Sequence, residues 1–246
     1  MSTVQRVLGV LPWVFSASLA MAADPATDGM WHGALSAGGA AASGNTTSQS
    51  LALNADGSKA TVQDKISLYG LSNYSRSQIS GMNTTTSNLL RLGGRYDYNL
   101  SDKLFAFGGG EYETNKAGGL KSRENANVGV GYRAYRSADA AVDVFGGVGY
   151  NDIRYTNNLQ RHGAELILGE EGSYKLSPTT SFKQRLVFYP GSNGLGRRAT
   201  FDAGLATAIS GAWTLNLGLS SRYVSSAPVG VKNTDTLLTM GFGYKY

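Results

Sequence analysis

From Trp31 to the C-terminus, apolar and polar residues alternate with a period of two, interrupted at intervals by Gly, Ser, Asn and Asp. That period constrains the chain most, because only a β-strand sends successive side chains to opposite faces. Twelve strands are predicted, over 31–42, 47–56, 62–75, 87–99, 104–115, 123–136, 140–152, 162–176, 181–190, 197–209, 212–224 and 235–246. Their lengths are close to the roughly 9–11 residues that a tilted strand needs to cross a bilayer. In the eleventh, Trp213, Leu215, Leu217, Leu219 and Tyr223 share one face, and Thr214, Asn216, Gly218, Ser220 and Arg222 the other. In the fourth, Leu90, Leu92, Tyr96 and Tyr98 oppose Arg91, Arg95 and Asp97. A soluble sandwich would wet its second face with Lys, Glu and Thr. Here that face is rich in Gly and Asn with isolated charges, which suits a lumen.

Connections give a second, independent sign. Asn54–Thr61, Leu100–Lys103, Ser137–Asp139, Ser177–Thr180 and Ser210–Gly211 are mostly short. The alternate ones, Arg76–Thr86, Lys116–Ser122, Ile153–Arg161, Gly191–Gly196 and Ser225–Thr234, are longer on the whole; Ser43–Thr46 is the exception. Short turns on one rim and long loops on the other mark an outer-membrane barrel. An even strand number puts both termini at the short-turn, periplasmic rim. Parity places Trp31, Tyr98, Tyr132, Tyr174, Phe182, Trp213 and Tyr244 outward near that rim, and Tyr74, Tyr112, Tyr150 and Tyr223 outward near the other. These are two girdles of the kind aromatic rings form at membrane interfaces. Closure is required as well, since an open strand edge in lipid leaves unpaired backbone groups at several kcal/mol each. The fold expected is therefore all-β: a closed antiparallel transmembrane barrel of about twelve strands. Glycines at 108–110, 129, 131, 146, 147 and 149 fit a curved wall or close packing inside it.

Residues 1–22 read as a secretory signal peptide: Arg6 in the n-region, Val7–Leu19 apolar, and Ala20-Met21-Ala22 as the cleavage site. Residues 23–30 form a short periplasmic segment, and 31–246 the barrel. Removing Arg6 from the 22 basic residues leaves 21 against 17 acidic ones. That mild excess, without a clustered basic run, gives no reason to expect a nucleic-acid partner. The absence of Cys removes disulfides and thiolate chemistry. A mean hydropathy of −0.19 excludes a polytopic helical membrane protein.

The C-terminus carries Leu238, Met240, Phe242, Tyr244 and Tyr246 at every second position, which looks like the terminal signal read by the barrel-assembly machinery. Further stretches are Trp31-His32-Gly33 with Ser43-Gly44-Asn45-Thr46, the run Leu90-Arg91-Leu92-Gly93-Gly94-Arg95-Tyr96-Asp97-Tyr98, then Leu100-Ser101-Asp102-Lys103-Leu104-Phe105, and Pro228-Val229-Gly230-Val231-Lys232-Asn233-Thr234-Asp235-Thr236. In that order and spacing the chain resembles a bacterial family called salt-induced outer-membrane proteins, the domain of unknown function 481. The resemblance covers nearly all of 31–246. It implies a barrel of the Gram-negative outer membrane with an association with salt, and brings no catalytic residues.

Catalysis finds little support in the residues. His32 lies near the periplasmic rim and His162 at the loop rim, so they share neither a hydrolase triad nor a metal site. Gly-x-Gly-Tyr at 129–132, 147–150 and 241–244 falls within strands and is followed by no helix, as a phosphate loop would require. No cofactor is implied. Outer-membrane lipid, lipopolysaccharide and, transiently, the assembly machinery are the partners expected.

The inward charges are the candidate functional set. Parity points Arg91, Arg95, Arg133, Lys183, Arg185, Arg198 and Arg222 into the lumen, with Asp97, Glu111, Glu113, Asp143, Glu165, Glu171, Asp202 and Asp235. They either select ions, as rings of fixed charge do, or pair to fill a narrow lumen. Twelve strands lie between the roughly eight that are filled by side chains and the roughly sixteen that leave a channel. Three functions stay open: a pore for ions or small solutes, a plugged barrel supporting the envelope, and, more weakly, a lipid-modifying enzyme. One residue strains the pattern. Parity turns Glu170 toward lipid, and a β-bulge at Gly169 or Gly172 would re-aim it.

Overall fold

The computed structural model describes residues 27–42, 47–79, 82–191, 196–225 and 233–245. Outside the described residues lie the leader at 1–22, the Ser43–Thr46 connection, residues 228–232 of the C-terminal signature, and Tyr246. Twelve strands follow one another: β1 (Trp31–Ala42), β2 (Thr47–Ala60), β3 (Asp64–Ile79), β4 (Met82–Asn99), β5 (Leu104–Asn115), β6 (Leu120–Arg136), β7 (Ala140–Tyr155), β8 (Gln160–Lys175), β9 (Thr180–Pro190), β10 (Arg197–Ser210), β11 (Trp213–Val224) and β12 (Thr234–Lys245). Each pairs antiparallel with its sequence neighbours, and β1 pairs with β12 to close the barrel. The seam runs in register from Ala34 opposite Lys245 to Ala37 opposite Phe242. Closure leaves no strand edge, which is the condition for a sheet surrounded by lipid.

The faces are inverted relative to a water-soluble barrel. Leu51, Leu53, Leu68, Val128, Val130, Val148, Leu166 and Leu168 are exposed on the outer wall, while Asn73, Arg91, Asp97, Glu113, Asn151 and Glu165 are buried inside. Such a surface is stable only against an apolar solvent. Both aromatic girdles are present. Trp31, Tyr98, Tyr132, Trp213 and Tyr244 are exposed at one rim, and Tyr74, Tyr112, Tyr150 and Tyr223 at the other. The Tyr174–Phe182 and Trp213–Tyr244 ring pairs, with centroids 6.1 and 5.4 Å apart, bind neighbouring strands within the first girdle.

The short turns at that first rim share one device. The hydroxyls of Thr61, Ser101, Ser137 and Ser177 each accept backbone N–H bonds from residues two and three positions ahead. A Ser or Thr hydroxyl placed there holds the chain in a tight reversal. The fifth short turn, at Ser210–Gly211, uses Gly211 at φ +53°, a conformation that glycine reaches without a Cβ penalty.

Local expectations change in several places. Asn54–Thr61, expected as a connection, is strand as far as Ala60, with Ala55 through Ala60 paired to Gly70 through Lys65. Arg76–Thr86, anticipated as a long loop, is largely hairpin: Arg76 through Ile79 pair with Thr85 through Met82. Polar β-formers such as Thr84 and Thr85 extend the ladder beyond the membrane, where both faces meet water and alternation no longer reports the strand. The bulge invoked for Glu170 is absent. β8 runs in unbroken register against β7 (Glu170 opposite Val144) and β9 (Glu170 opposite Leu186). Glu170 stays on the outer face, where the Gln184 side-chain amide donates to it at 3.4 Å.

Candidate functional site: a lumen of seated rings and ion pairs

The interior is built from glycine positions upward. Tyr69 stands opposite Gly93, Phe105 opposite Gly131, Phe107 opposite Gly129, and Phe145 opposite Gly169. In each pair a Cβ on the glycine would collide with the facing ring. The missing side chain therefore lets the ring lie flat along the wall instead of standing into the lumen. Phe105, Phe107, Phe145, Ile167 and Val187 form one buried cluster, with Tyr189 packed beside it. Phe107 and Phe145 meet edge to face at 5.9 Å.

Around this apolar floor the charges pair. Arg91 donates to Glu113 through Nη2 at 2.8 Å and Nε at 3.3 Å, and Arg123 reaches the same carboxylate at 3.3 Å. Arg198 holds Glu165 with two donors, at 2.5 and 3.1 Å, and lies over the Tyr189 ring. Arg222 faces Asp202 at 3.7 Å, and Ser220 donates to that carboxylate at 2.7 Å. Tyr69 donates its hydroxyl proton to Glu111, crossing Gly93 to do so. Nearer the short-turn rim, Arg136 pairs with Asp143. Arg133 is spent on the turn, donating to Asn99 and to the carbonyls of Ser101 and Asp102. Lys183 on β9 lies within electrostatic reach of Asp56 on β2.

Arg95 differs from the rest. It starts on β4 and donates to Asp97 at 2.6 Å. Its guanidinium covers Phe107 of β5 at 4.4 Å, lies 5.5 Å from the Phe145 ring of β7, and reaches Glu171 of β8 at 4.0 Å. Arg185 approaches the same Glu171 at 3.8 Å and the other side of Phe145 at 5.2 Å. Arg95 thus lies as a chord across part of the bore. It lines two spaces at once. An inner chamber of ≈ 160 Å³ lies between Arg95 and the loop-side arginines, and a vestibule of ≈ 590 Å³ opens toward the short-turn rim.

Within the candidate set, Arg91, Arg95, Glu111, Arg185, Arg198, Asp202 and Arg222 line the inner chamber; Arg95, Asp97, Arg133, Asp143 and Glu171 line the vestibule. Glu113 and Glu165 are buried behind their arginines. The two histidines are not brought together: His32 bonds Asp28 ahead of β1, and His162 packs against Tyr150 on the outer wall. Met240, Phe242 and Tyr244 of the C-terminal signature are exposed outward. Sequence reasoning passed over the rings on the polar face, Tyr69, Phe105, Phe107 and Phe145, and over Arg123. Their parity was available, since Phe105 and Phe107 alternate with outward Leu104 and Ala106. The glycine seats were not, because they need the register between strands.

The sequence matches the family model described as "Protein of unknown function, DUF481" over residues 35–246. No curated protein sequence matches it. Among solved structures the chain is similar to the translocator domain of the autotransporter NalP from Neisseria meningitidis, at 13% identity and a TM-score of 0.50, covering 88% of this chain and 87% of that one. It is also similar to the NanC porin, at 11% identity and a TM-score of 0.51, covering 87% of this chain and all of that one. At such identities the likeness is one of fold.

Proposed function

The chain belongs to the DUF481 family, and we propose that it is an outer-membrane barrel that conducts small ions or solutes through a bore closed at one level by Arg95. The leader ends at Ala22, and lipid and lipopolysaccharide surround the mature wall after insertion by the assembly machinery. The observation that carries this reading is the position of Arg95 on both chambers. Side chains do not fill the lumen to its full height; they narrow it where one guanidinium spans from β4 to β8. Its contact to Glu171, at 4.0 Å and partly exposed, is weak enough to yield, and a partly exposed pair is screened by salt more than a buried one. The salt association of the resembled family would act at this contact. A non-enzymatic role is supported by the separation of His32 and His162, which keeps the two from sharing one site.

A second reading has an observation of its own. Nearly every inward charge of the candidate set meets an opposite charge, which favours a plugged barrel that supports the envelope. Planar-bilayer recording of the refolded mature protein under a salt gradient separates the two. A conduit gives stepwise currents that grow severalfold in Arg95→Ala. Silence from folded wild type and Arg95→Ala alike moves the assignment to the structural barrel.

A further inference from the structure

The inner chamber has the makings of a binding site. Six arginines line it (Arg91, Arg95, Arg123, Arg185, Arg198 and Arg222), against two carboxylates, Glu111 and Asp202. Both carboxylates are engaged, Glu111 by the Tyr69 hydroxyl and Asp202 by Ser220 and Arg222. The acids that pair with Arg91, Arg123 and Arg198 stand behind them, while those facing Arg95 (Asp97 and Glu171) and Arg185 (Glu171) line the vestibule and not the chamber. Glu113 and Glu165 are 5% and 2% exposed, while Arg123 and Arg198 are 27% and 24% exposed. Each of these ion pairs therefore turns its positive end to the chamber, and the nearest charge dominates the local field.

The hydrogen-bonding capacity left over at the chamber also has one sign. Arg185 Nε and Asn151 Nδ2 are both buried and make no hydrogen bond. Arg185 Nε faces Glu171 at 3.8 Å, beyond hydrogen-bonding distance. Asn151 is 2% exposed and accepts from Asn125 on its oxygen, which leaves its amide hydrogens without an acceptor. Buried donors without acceptors are costly, so they mark where an acceptor belongs. Beside Arg95 and Arg185 the chamber is apolar: Phe107 and Phe145 lie against their guanidiniums, and Ile167 and Val187 adjoin them. At ≈ 160 Å³ it is comparable to the roughly 150 Å³ cavity that accommodates benzene in an engineered protein core.

We infer that the inner chamber binds a small organic monoanion: a carboxylate on a body of about one six-membered ring. The carboxylate meets Arg185, and the ring rests beside it on the apolar wall of Phe145, Ile167 and Val187. Neither inorganic anions nor a neutral ring compound satisfies both halves. The inference concerns occupancy and holds whether or not the barrel conducts.

The test is calorimetric titration of the full mature chain, refolded in detergent, with benzoate, acetate and benzyl alcohol as probes. Heat-modifiable migration on gels verifies folding of each variant. Benzoate is expected to bind at least tenfold more tightly than either other probe. Arg185→Gln is expected to weaken benzoate tenfold or more while leaving the barrel folded, and Asn151→Asp, which puts a carboxylate in place of the donor, to do the same. Asp56→Asn, outside the chamber, is expected to bind as wild type does. Equal binding of benzoate and acetate overturns the ring-sized site. Unchanged benzoate binding in folded Arg185→Gln overturns the anion site. Because the readout is heat, a silent bilayer recording with intact benzoate binding refutes the conduit and leaves this site standing.

Discussion

Two stretches of the barrel wall line the same lumen by different means. From β3 to β9 the interior is thick with side chains: Tyr69, Arg91, Arg95, the phenylalanine cluster and Arg185. From β10 through the β12–β1 seam to β2 large inward side chains are sparser: Arg198, Asp202 and Arg222 stand at the chamber and Asp56 on β2, but Gly204, Ala206, Thr214, Asn216, Gly218, Gly241, Gly243, Ala34, Ser36 and Ala52 also lie on the inward parity. The thick wall depends on glycine too, but as seats under rings rather than as open space. A barrel of this strand number therefore need not be uniformly filled or uniformly open. One arc supplies most of the bulk and the aromatic rings, and the other combines a few charges at the chamber with small residues that leave room.

The sharpest way to break that contrast is to strip a buried partner from the thick wall. Arg91→Met leaves Glu113 buried with Arg123, at 3.3 Å, as its remaining close partner. Removing one member of a buried pair costs about 3–5 kcal/mol, and the remaining Arg123 puts the loss at about 3. Arg222→Met, where the pair is 3.7 Å apart and Asp202 keeps Ser220, is expected to cost under about 1 kcal/mol, in the range of weakly coupled ion pairs. Urea-gradient folding in detergent measures both. Equal losses would mean that the two arcs carry the fold alike.

A smaller effect separates glycine as a seat from glycine as surface. In Gly129→Ala the new methyl meets the Phe107 ring and the Gly146 carbonyl oxygen, and the latter is backbone. Overpacking of this kind costs about 1–3 kcal/mol. Gly108, one strand away on the outward parity, has Val128 at ordinary contact distance, 3.8 Å. Gly108→Ala is expected to be neutral or slightly stabilising, because glycine within a strand is entropically costly. The same folding measurement ranks them, and a stable Gly129→Ala would refute the seated-ring account.

These contrasts also show where the sequence stops being legible. Period-two parity carries the barrel, the girdles and the inward set, because one face meets lipid along every strand. It carries Glu170 as well: the outward assignment needed no bulge. Arg76–Thr86 misled because alternation fades once a hairpin leaves the bilayer. The inner chamber was out of reach for another reason. Arg95, Phe107, Phe145 and Arg185 come from four strands, and only inter-strand register brings them together.

Glu170 supplies the next prediction. A carboxylate on the lipid face, supported by one 3.4 Å bond from Gln184, is unfavourable, though by less than the roughly 2–4 kcal/mol of a basic residue at the midplane. Glu170→Leu should raise folding stability by about 1 kcal/mol. No gain, or a loss, would mean that the outer wall at Glu170 meets something other than lipid.

The smallest effect lies outside the membrane, ahead of the thin wall's first strand. Asp28 accepts the Met30 backbone N–H and the His32 ring nitrogen, both at 2.9 Å. Those bonds, the Met30 one foremost, hold its carboxyl below the ordinary carboxylate range. A carboxyl with a depressed folded-state pKa supports structure above its unfolded pKa and loses that support as pH falls through the folded value. The entry into β1 should therefore stay intact at pH 5 and loosen only under more acidic conditions. The Met30 amide resonance, followed by NMR in detergent, should titrate with a midpoint below that of an ordinary aspartate. In Asp28→Asn the acid-side titration should vanish while the signals of β4 to β9 stay unchanged. A midpoint at the ordinary value would mean that this contact does not organise the first strand, and that β1 is held by its pairing with β2 and β12 alone.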